Sequence, residues 1–323
     1  MNKKIDHQRG FTLDQRGFTL DQRGFTLDQR GFTLDQNQRG FTLVELLVGL
    51  MLSVFIIGVA ITYMLTSTRT FRVQTNETLI QENARFALDV LTQNFRLAGL
   101  NPSNNFDNAL SVIYSGAKCP ADESSTADNS AGNTACTKDG ANNTTDNNSD
   151  RIAIDYMIDA SKSAAAINVN GCNSWPITVN AGSETHLASV FWSADIDGDG
   201  VRSLYCQTYN LDTETAEGVA LPLIDGIDRI QFQYGVDSDD DGLVERYQSF
   251  TNLGAANSVN VRAIRVAMLL NGGTGANNTG QNFDTELAAE RAYTLLDAPV
   301  SSFTDQVLRQ TYSTTVLIPN TLN

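Results

Sequence analysis

From Leu46 to Leu65 the chain runs LLVGLMLSVFIIGVAITYML, twenty residues without a formal charge. Twenty apolar residues in a helix span ~30 Å, the thickness of a bilayer's hydrocarbon core. The run divides the sequence into what precedes a membrane helix and what that helix anchors. One acid, Glu45, stands at its mouth. A carboxylate at the edge of a membrane helix is costly unless it is paired or used. Glu45 therefore reads either as an interfacial residue of a plain anchor or as a residue with a charged partner. Lys3, Lys4 and the arginines after them precede the run, which predicts a cytoplasmic N-terminus.

Residues 8–35 are four tandem copies of QRGFTLD, and a fifth unit, QRGFTLV, begins at Gln38 and enters the apolar run. A seven-residue period invites a coiled coil. Each unit, however, holds a glycine and only Phe and Leu as apolar residues, and a glycine in every heptad costs helix stability. The copies read instead as a duplication that lengthens a leader, residues 1–40, removed from the mature chain. They also act as internal controls. The fifth residue after each repeat glycine is Gln15, Gln22, Gln29 or Gln36, and only after Gly40 is it a glutamate, Glu45, followed by an apolar run.

That arrangement resembles the processing site of type IV prepilins: a basic leader ending in Gly, then Phe, with Glu as the fifth mature residue. The resemblance implies cleavage after Gly40 by a prepilin peptidase, N-methylation of Phe41, and Glu45 neutralising the terminal amine of a neighbouring subunit during assembly. An unpaired charge near hydrocarbon is costly and a paired one much less so. A secretory signal peptide would be cut after its apolar segment; here the cut precedes it, so the helix stays as a membrane and filament-core segment, residues 41–65.

Beyond Thr66 polarity rises, but Ile80, Ala84, Ala87, Leu91, Phe95 and Ala98 recur at three- and four-residue steps. This is one apolar face of a second, amphipathic half, residues 66–100. Gly99, Asn101 and Pro102 supply its stop. The segment QENARFALDVLTQNFRLAGL, Gln81–Leu100, resembles the helix of the PilW family of minor pilins, including its Arg96-Leu97-Ala98-Gly99 ending.

Residues 101–150 are rich in Asn, Ser, Thr, Asp and Gly without periodicity and read as a long loop. Strand candidates then fill a β-rich domain over 151–323: Arg151–Ile158, Leu187–Ser193, Ser203–Tyr209, Ile227–Tyr234, Leu243–Phe250, Val261–Leu270, Arg291–Leu296 and Thr311–Ile318. Alternation with turn residues between them predicts one antiparallel sheet with a face on the amphipathic helix. The fold class is thus α+β, a long N-terminal helix packed on an antiparallel β-rich domain, pilin-like. VRAIRVAMLL and TYSTTVLIPN also resemble the C-terminal part of the PilW family.

Four cysteines, all after the membrane run, point to two disulfides in an oxidising compartment. We expect Cys119–Cys136 to tie down the loop and Cys172–Cys206 to form the second pair; the two other connectivities stay open. Two stretches, DIDGDG and DSDDDG, place Asp195, Asp197, Asp199 and Asp237, Asp239, Asp241 at alternate positions before a glycine. This matches the first half of a calcium loop. The second half departs, with Cys206 and Gln248 where a bidentate glutamate belongs, and the alternative is an acidic hairpin turn with Asp-Gly supplying positive φ. Ca²⁺ is the one cofactor this pattern raises.

The net charge is −15, and without the leader's seven basic and five acidic residues the remainder carries 15 basic and 32 acidic ones. So acidic a domain argues against direct nucleic-acid binding. Only His7 and His186 could serve a histidine-based centre, and His186 lies in a Gly-Ser-Glu-Thr stretch that reads as a loop. No nucleophile elbow, phosphate-binding glycine loop or His cluster marks an enzyme. The resemblance implies a non-catalytic minor pilin that primes type IV pilus assembly and sits in or near the tip. Its implied partners are other minor pilins, the major pilin, the prepilin peptidase, the inner-membrane assembly platform and a tip adhesin. It implies residence in the inner membrane first and the filament afterwards. A type II secretion pseudopilin shares the processing site and helix and is the alternative, ahead of a membrane-tethered calcium-binding or enzymatic domain.

Overall fold

Helix α1 (Leu43–Phe95) opens on Thr42, whose Oγ1 accepts the Glu45 N–H at 3.3 Å. A threonine hydroxyl at this position satisfies one of the four donors every helix leaves free at its start. The computed structural model describes residues 40–102, 110–116, 136–140, 149–196, 198, 200–254, 259–272, 291–298, 300–303 and 307–321. The chain falls into two compact units that part between Gly58 and Val59. In the first, the apolar side chains of α1 are exposed throughout. Polar residues of the apolar run bond back into the helix: Ser53 Oγ donates to the Leu50 carbonyl and Thr62 Oγ1 to that of Val59, both at 2.8 Å. Such bonds let a hydroxyl enter hydrocarbon without an unmet donor.

In the second unit the predicted stripe is the buried face. Ile80, Ala87, Leu91 and Phe95 are fully buried, with Ala84 beside them. The helix ends in a turn at Gly99, whose φ of 72° is a conformation that favours glycine. The Gly99 N–H donates to the Asp155 carbonyl at 2.7 Å, and Asn320 Nδ2 reaches the Arg96 and Ala98 carbonyls at 2.8 and 3.1 Å. The carbonyls that a helix leaves unpaired at its end are met by the domain.

Among the described residues twelve strands follow: β1 (Ile152–Asp159), β2 (Ile167–Asn170), β3 (Pro176–Val179), β4 (Glu184–Ala194), β5 (Ser203–Asn210), β6 (Thr215–Asp225), β7 (Ile227–Val236), β8 (Arg246–Gln248), β9 (Val261–Asn271), β10 (Arg291–Tyr293), β11 (Ser301–Phe303) and β12 (Arg309–Leu317). The expectation of one sheet is corrected. There are two four-stranded antiparallel sheets, ordered β1-β4-β5-β6 and β12-β9-β7-β8, and two ribbons, β2-β3 and β10-β11. The switch lies at Gly226, φ 84°. There the N–H groups of Gly226 and Ile227 both donate to the Arg202 carbonyl at 2.9 Å, turning the chain from the end of β6 into β7.

One apolar cluster joins α1 to both sheets. It takes Ile152, Ile154, Phe191 and Leu204 from the first and Ile230, Phe232, Val266 and Met268 from the second. Phe95 sits at the meeting point, edge-on to Phe191 and Phe232 with ring centroids 6.1 and 6.0 Å apart. Cys172 and Cys206 are disulfide-bonded, fastening the loop after β2 to the middle of β5. Cys136 is buried and also disulfide-bonded; the pairing expected for it, with Cys119, lies outside the described residues.

His186 corrects a second expectation. It belongs to β4, paired with Met157 of β1, and its Nε2 meets the Asp155 carboxylate. The polar letters around it face solvent at the strand's start, so the strand pattern shows only further along. The candidate strand over 243–250 shrinks to β8, because a short helix α2 (Phe250–Leu253) begins at Phe250. Asp139 accepts the N–H groups of Phe250 and Thr251 at 2.9 and 2.7 Å.

Candidate functional site

The segment expected to be processed stands at the foot of α1. Phe41 is 82 % exposed, and no described residue lies within 4 Å of where a Cβ at Gly40 would stand. The Gly40–Phe41 bond therefore presents an open backbone just ahead of the helix. Glu45 falls in the first helical turn, where the positive end of the helix dipole favours a carboxylate. Thr42 holds that turn, a role the sequence signals by a threonine three residues before a glutamate. Thr42 was not among the residues expected here.

The two acidic stretches lie between paired strands, the first between β4 and β5 and the second between β7 and β8. In the first, Asp195 accepts the N–H groups of Gly198 and Gly200 at 2.9 and 3.1 Å. Its other two candidates, Asp197 and Asp199, lie outside the described residues. In the second, Gly242 has φ 85°, as an Asp-Gly turn requires.

This second hairpin gathers its carboxylates. Asp237, Asp239 and Asp241 each offer an oxygen within 4.8 Å of the others, and Glu245 adds a fourth. The sequence reading missed Glu245, although it stands four residues beyond Asp241 in the same alternation, at the ninth position of the loop. Asp237 is buried while the other three are exposed. Its oxygens accept the N–H of Asp241 at 3.2 Å, the N–H of Gly242 at 2.9 Å and Arg262 Nε at 3.0 Å. Burial pushes the Asp237 carboxyl up, but the Arg262 guanidinium and the Gly242 N–H bring it below its ordinary value. Arg262 also meets Asp240. One buried carboxylate is thus balanced inside the chain, and Asp239, Asp241 and Glu245 face outward around it. Oxygen donors so placed suit a hard divalent cation.

The third titratable centre is internal. Asp155 in β1 and His186 in β4 bridge two strands of one sheet. The Asp155 hydrogen bond holds the His186 imidazole above its ordinary value, whereas burial raises Asp155. Its surroundings make it a fastening between strands.

Residues 35–61 match the family model for the prokaryotic N-terminal methylation motif, a span that covers Gly40, Phe41 and Glu45. Residues 193–320 match the model for type IV pilus-assembly protein W, from the end of β4 through β12. No curated protein matches the chain, and no solved structure does. A methylation motif opening the long helix and a pilus-assembly region running from the end of β4 through β12 together support a likeness to PilW-like pilins of the type IV pilus.

Proposed function

We propose that this protein is a non-catalytic minor pilin that helps prime type IV pilus assembly and is incorporated in or near the pilus tip. The observation that supports it is the union, in one chain, of an exposed prepilin motif at the foot of α1 with a PilW-type region. On this reading the leader is cut after Gly40 by a prepilin peptidase and Phe41 is N-methylated. The apolar half of α1 then holds the subunit in the inner membrane with its N-terminus in the cytoplasm. On extraction the same half becomes filament core, and Glu45 pairs with the Phe41 amine of a neighbour. Other minor pilins, the major pilin, the assembly platform and a tip adhesin are its partners.

The test is the mass of the N-terminal peptide recovered from sheared pili. A peptide that begins with N-methylated Phe41 is expected, and Gly40→Asp should leave the leader attached and remove the protein from the filament. An intact QRGFTLD leader in filament-borne protein would overturn the reading. A deletion strain separates it from a secretion pseudopilin: pili are lost and exoprotein secretion continues.

A second reading concerns the β7–β8 hairpin. We propose that Asp237, Asp239, Asp241 and Glu245 take Ca²⁺, on the ground that their oxygens lie within 4.8 Å of one another. Calcium titrated into the full chain in detergent should release or absorb heat and raise its thermal midpoint. Glu245→Gln with Asp239→Asn should remove both effects. Absence of any heat, with a midpoint indifferent to chelator, would retire the calcium reading.

A further inference from the structure

A β-sheet ends in two edges, each a row of N–H and C=O groups able to template another strand, and proteins ordinarily block them. Three of the four edges of the large sheets are blocked. Along β1, Tyr114 N–H donates to the Ala153 carbonyl, Asp155 N–H to that of Val112 and Met157 N–H to that of Leu100, at 2.9, 3.2 and 2.8 Å. β6 carries Pro222 and two register shifts against β5. Its Val219 carbonyl accepts Asn173 Nδ2 at 2.7 Å, and Trp175 lies over Gly218 so closely that any side chain there would collide with it. β8 is three residues long and begins with Arg246.

The fourth edge, β12, has no described strand across it, no proline and no register shift, and its one charge, Arg309, is buried against Asp228. It pairs with β9 over nine residues without a register shift, from Arg309↔Asn271 to Leu317↔Ala263. Between Gln310 and Leu317 it has no charge, proline or glycine, in a chain of net charge −15. Ile318 N–H donates to the Arg262 carbonyl at 2.8 Å, which fixes the alternation of an antiparallel ladder. Thr314 and Val316 turn their N–H and C=O toward β9. Thr311, Ser313, Thr315 and Leu317 turn theirs outward, and among the described residues none of the four has a backbone partner on that side. Their side chains are exposed as well, Leu317 by 64 %.

We propose that the outer edge of β12 is a docking site for an extended strand donated by another pilus subunit, joined by backbone hydrogen bonds to Thr311, Ser313, Thr315 and Leu317. The ladder specifies the occupant's conformation, because only an extended backbone presents N–H and C=O groups at its spacing. The uncharged run from Gln310 to Leu317 specifies a donor strand that is itself uncharged, with an apolar residue opposite Leu317. The proposal rests on the pilus reading for the identity of the partner.

Hydrogen exchange at β12 is the test, read on the full chain extracted in detergent and on the same chain in sheared pili. The amides of Thr311, Ser313, Thr315 and Leu317 should exchange freely in the extracted protein and slow at least ~100-fold in the filament. Rapid exchange at these amides in the filament would overturn strand docking while leaving the pilus reading intact. Absence of the mature chain from the filament would overturn the pilus reading and with it this partner. Protection that appears in the purified chain alone on concentration would also overturn it, showing a second copy as the occupant.

Ser313→Pro gives an independent check. It removes one outward N–H and no bond to β9, a placement edge strands tolerate. Its thermal midpoint should stay near that of the wild type, and its incorporation into pili should fall at least ~10-fold. If the proline lowers the midpoint, Thr315→Lys, which sets a charge on the edge without changing the backbone, takes its place. Undiminished incorporation of the folded variant would sink the proposal.

Discussion

Phe95→Ala is expected to lower the unfolding free energy of the domain by about 3–5 kcal/mol, the range for emptying a fully buried aromatic site. Phe95 is the last residue of α1 and is fully buried. Its ring meets Phe191 of β4 and Phe232 of β7 edge-on. Those strands belong to different sheets, so one side chain closes a junction of three elements, and the cavity left by alanine has no single neighbour that could fill it. The two edge-on contacts are lost as well, each worth about 0.5–1.5 kcal/mol beyond the area buried. Phe95→Leu should recover part of the loss, because a large apolar side chain leaves a smaller void. Phe86 lies nine residues earlier on the same helix and is 55 % exposed; Phe86→Ala should stay within about 0.5 kcal/mol of the wild type. Urea unfolding of the full chain in detergent, followed by near-ultraviolet circular dichroism, measures all three. Equal costs for Phe95→Ala and Phe86→Ala would show that α1 is not held where the structure has it.

The residues of that junction were unequally legible. Phe95 could be read, because a helix writes its buried face into the sequence at three- and four-residue steps: Ile80, Ala84, Ala87, Leu91 and Phe95 are all on the face that is buried. Its partners could not, since Phe191 and Phe232 lie far along the chain and nothing local ties them to a helix. Strands with regular alternation were found, β1, β4, β5, β7, β9 and β12 among them, with their ends displaced by a few residues. β6 was missed. Gly218 and Pro222 make TAEGVALPLID look like a loop, and both suit the strand to the sheet edge it occupies. The division into two sheets turns on the geometry of Gly226, which no alternation pattern encodes.

The same distinction runs through the candidate site. The spacing of Asp237, Asp239 and Asp241 is local and could be read. Arg262, which balances Asp237, stands on β9 and enters only through the pairing of β7 with β9. Gly40, Phe41 and Glu45 are a motif in consecutive sequence, legible without any fold. Asp150 is the opposite case: it ends the polar run TTDNNSD, every letter of which suggests solvent, yet its carboxylate is inside.

From that burial follows a stability that declines as pH rises from about 4 to 8. Removal from water pushes the Asp150 carboxyl up to about 8, against the N–H groups of Gly140 and Phe232 that favour its charged form; Asp139 and Asp297 add to the upward push. Those two N–H groups donate to opposite oxygens of the carboxyl, each at 2.7 Å. The folded state therefore keeps a proton that the unfolded chain, with an ordinary aspartate value near 4, has already released. A state that binds more protons is favoured by acid. The contribution is complete below about pH 4, fades by up to about tenfold in the folding equilibrium per pH unit, and is gone once pH passes about 8. His186, raised by Asp155, acts with the same sign, but only as pH rises above its ordinary value of ~6.5. The interval from pH 5 to 6 thus isolates Asp150 from the histidine. Asp150→Asn should be less stable than the wild type at pH 5, because an amide nitrogen faces one of the two donors and leaves it unmet. Between pH 5 and 8 the variant should lose much less stability than the wild type, so the two curves converge. Urea midpoints of the full chain at pH 5, 6, 7 and 8 decide the matter: parallel curves would mean that Asp150 is ionised in the folded protein and that its two backbone donors outweigh its burial.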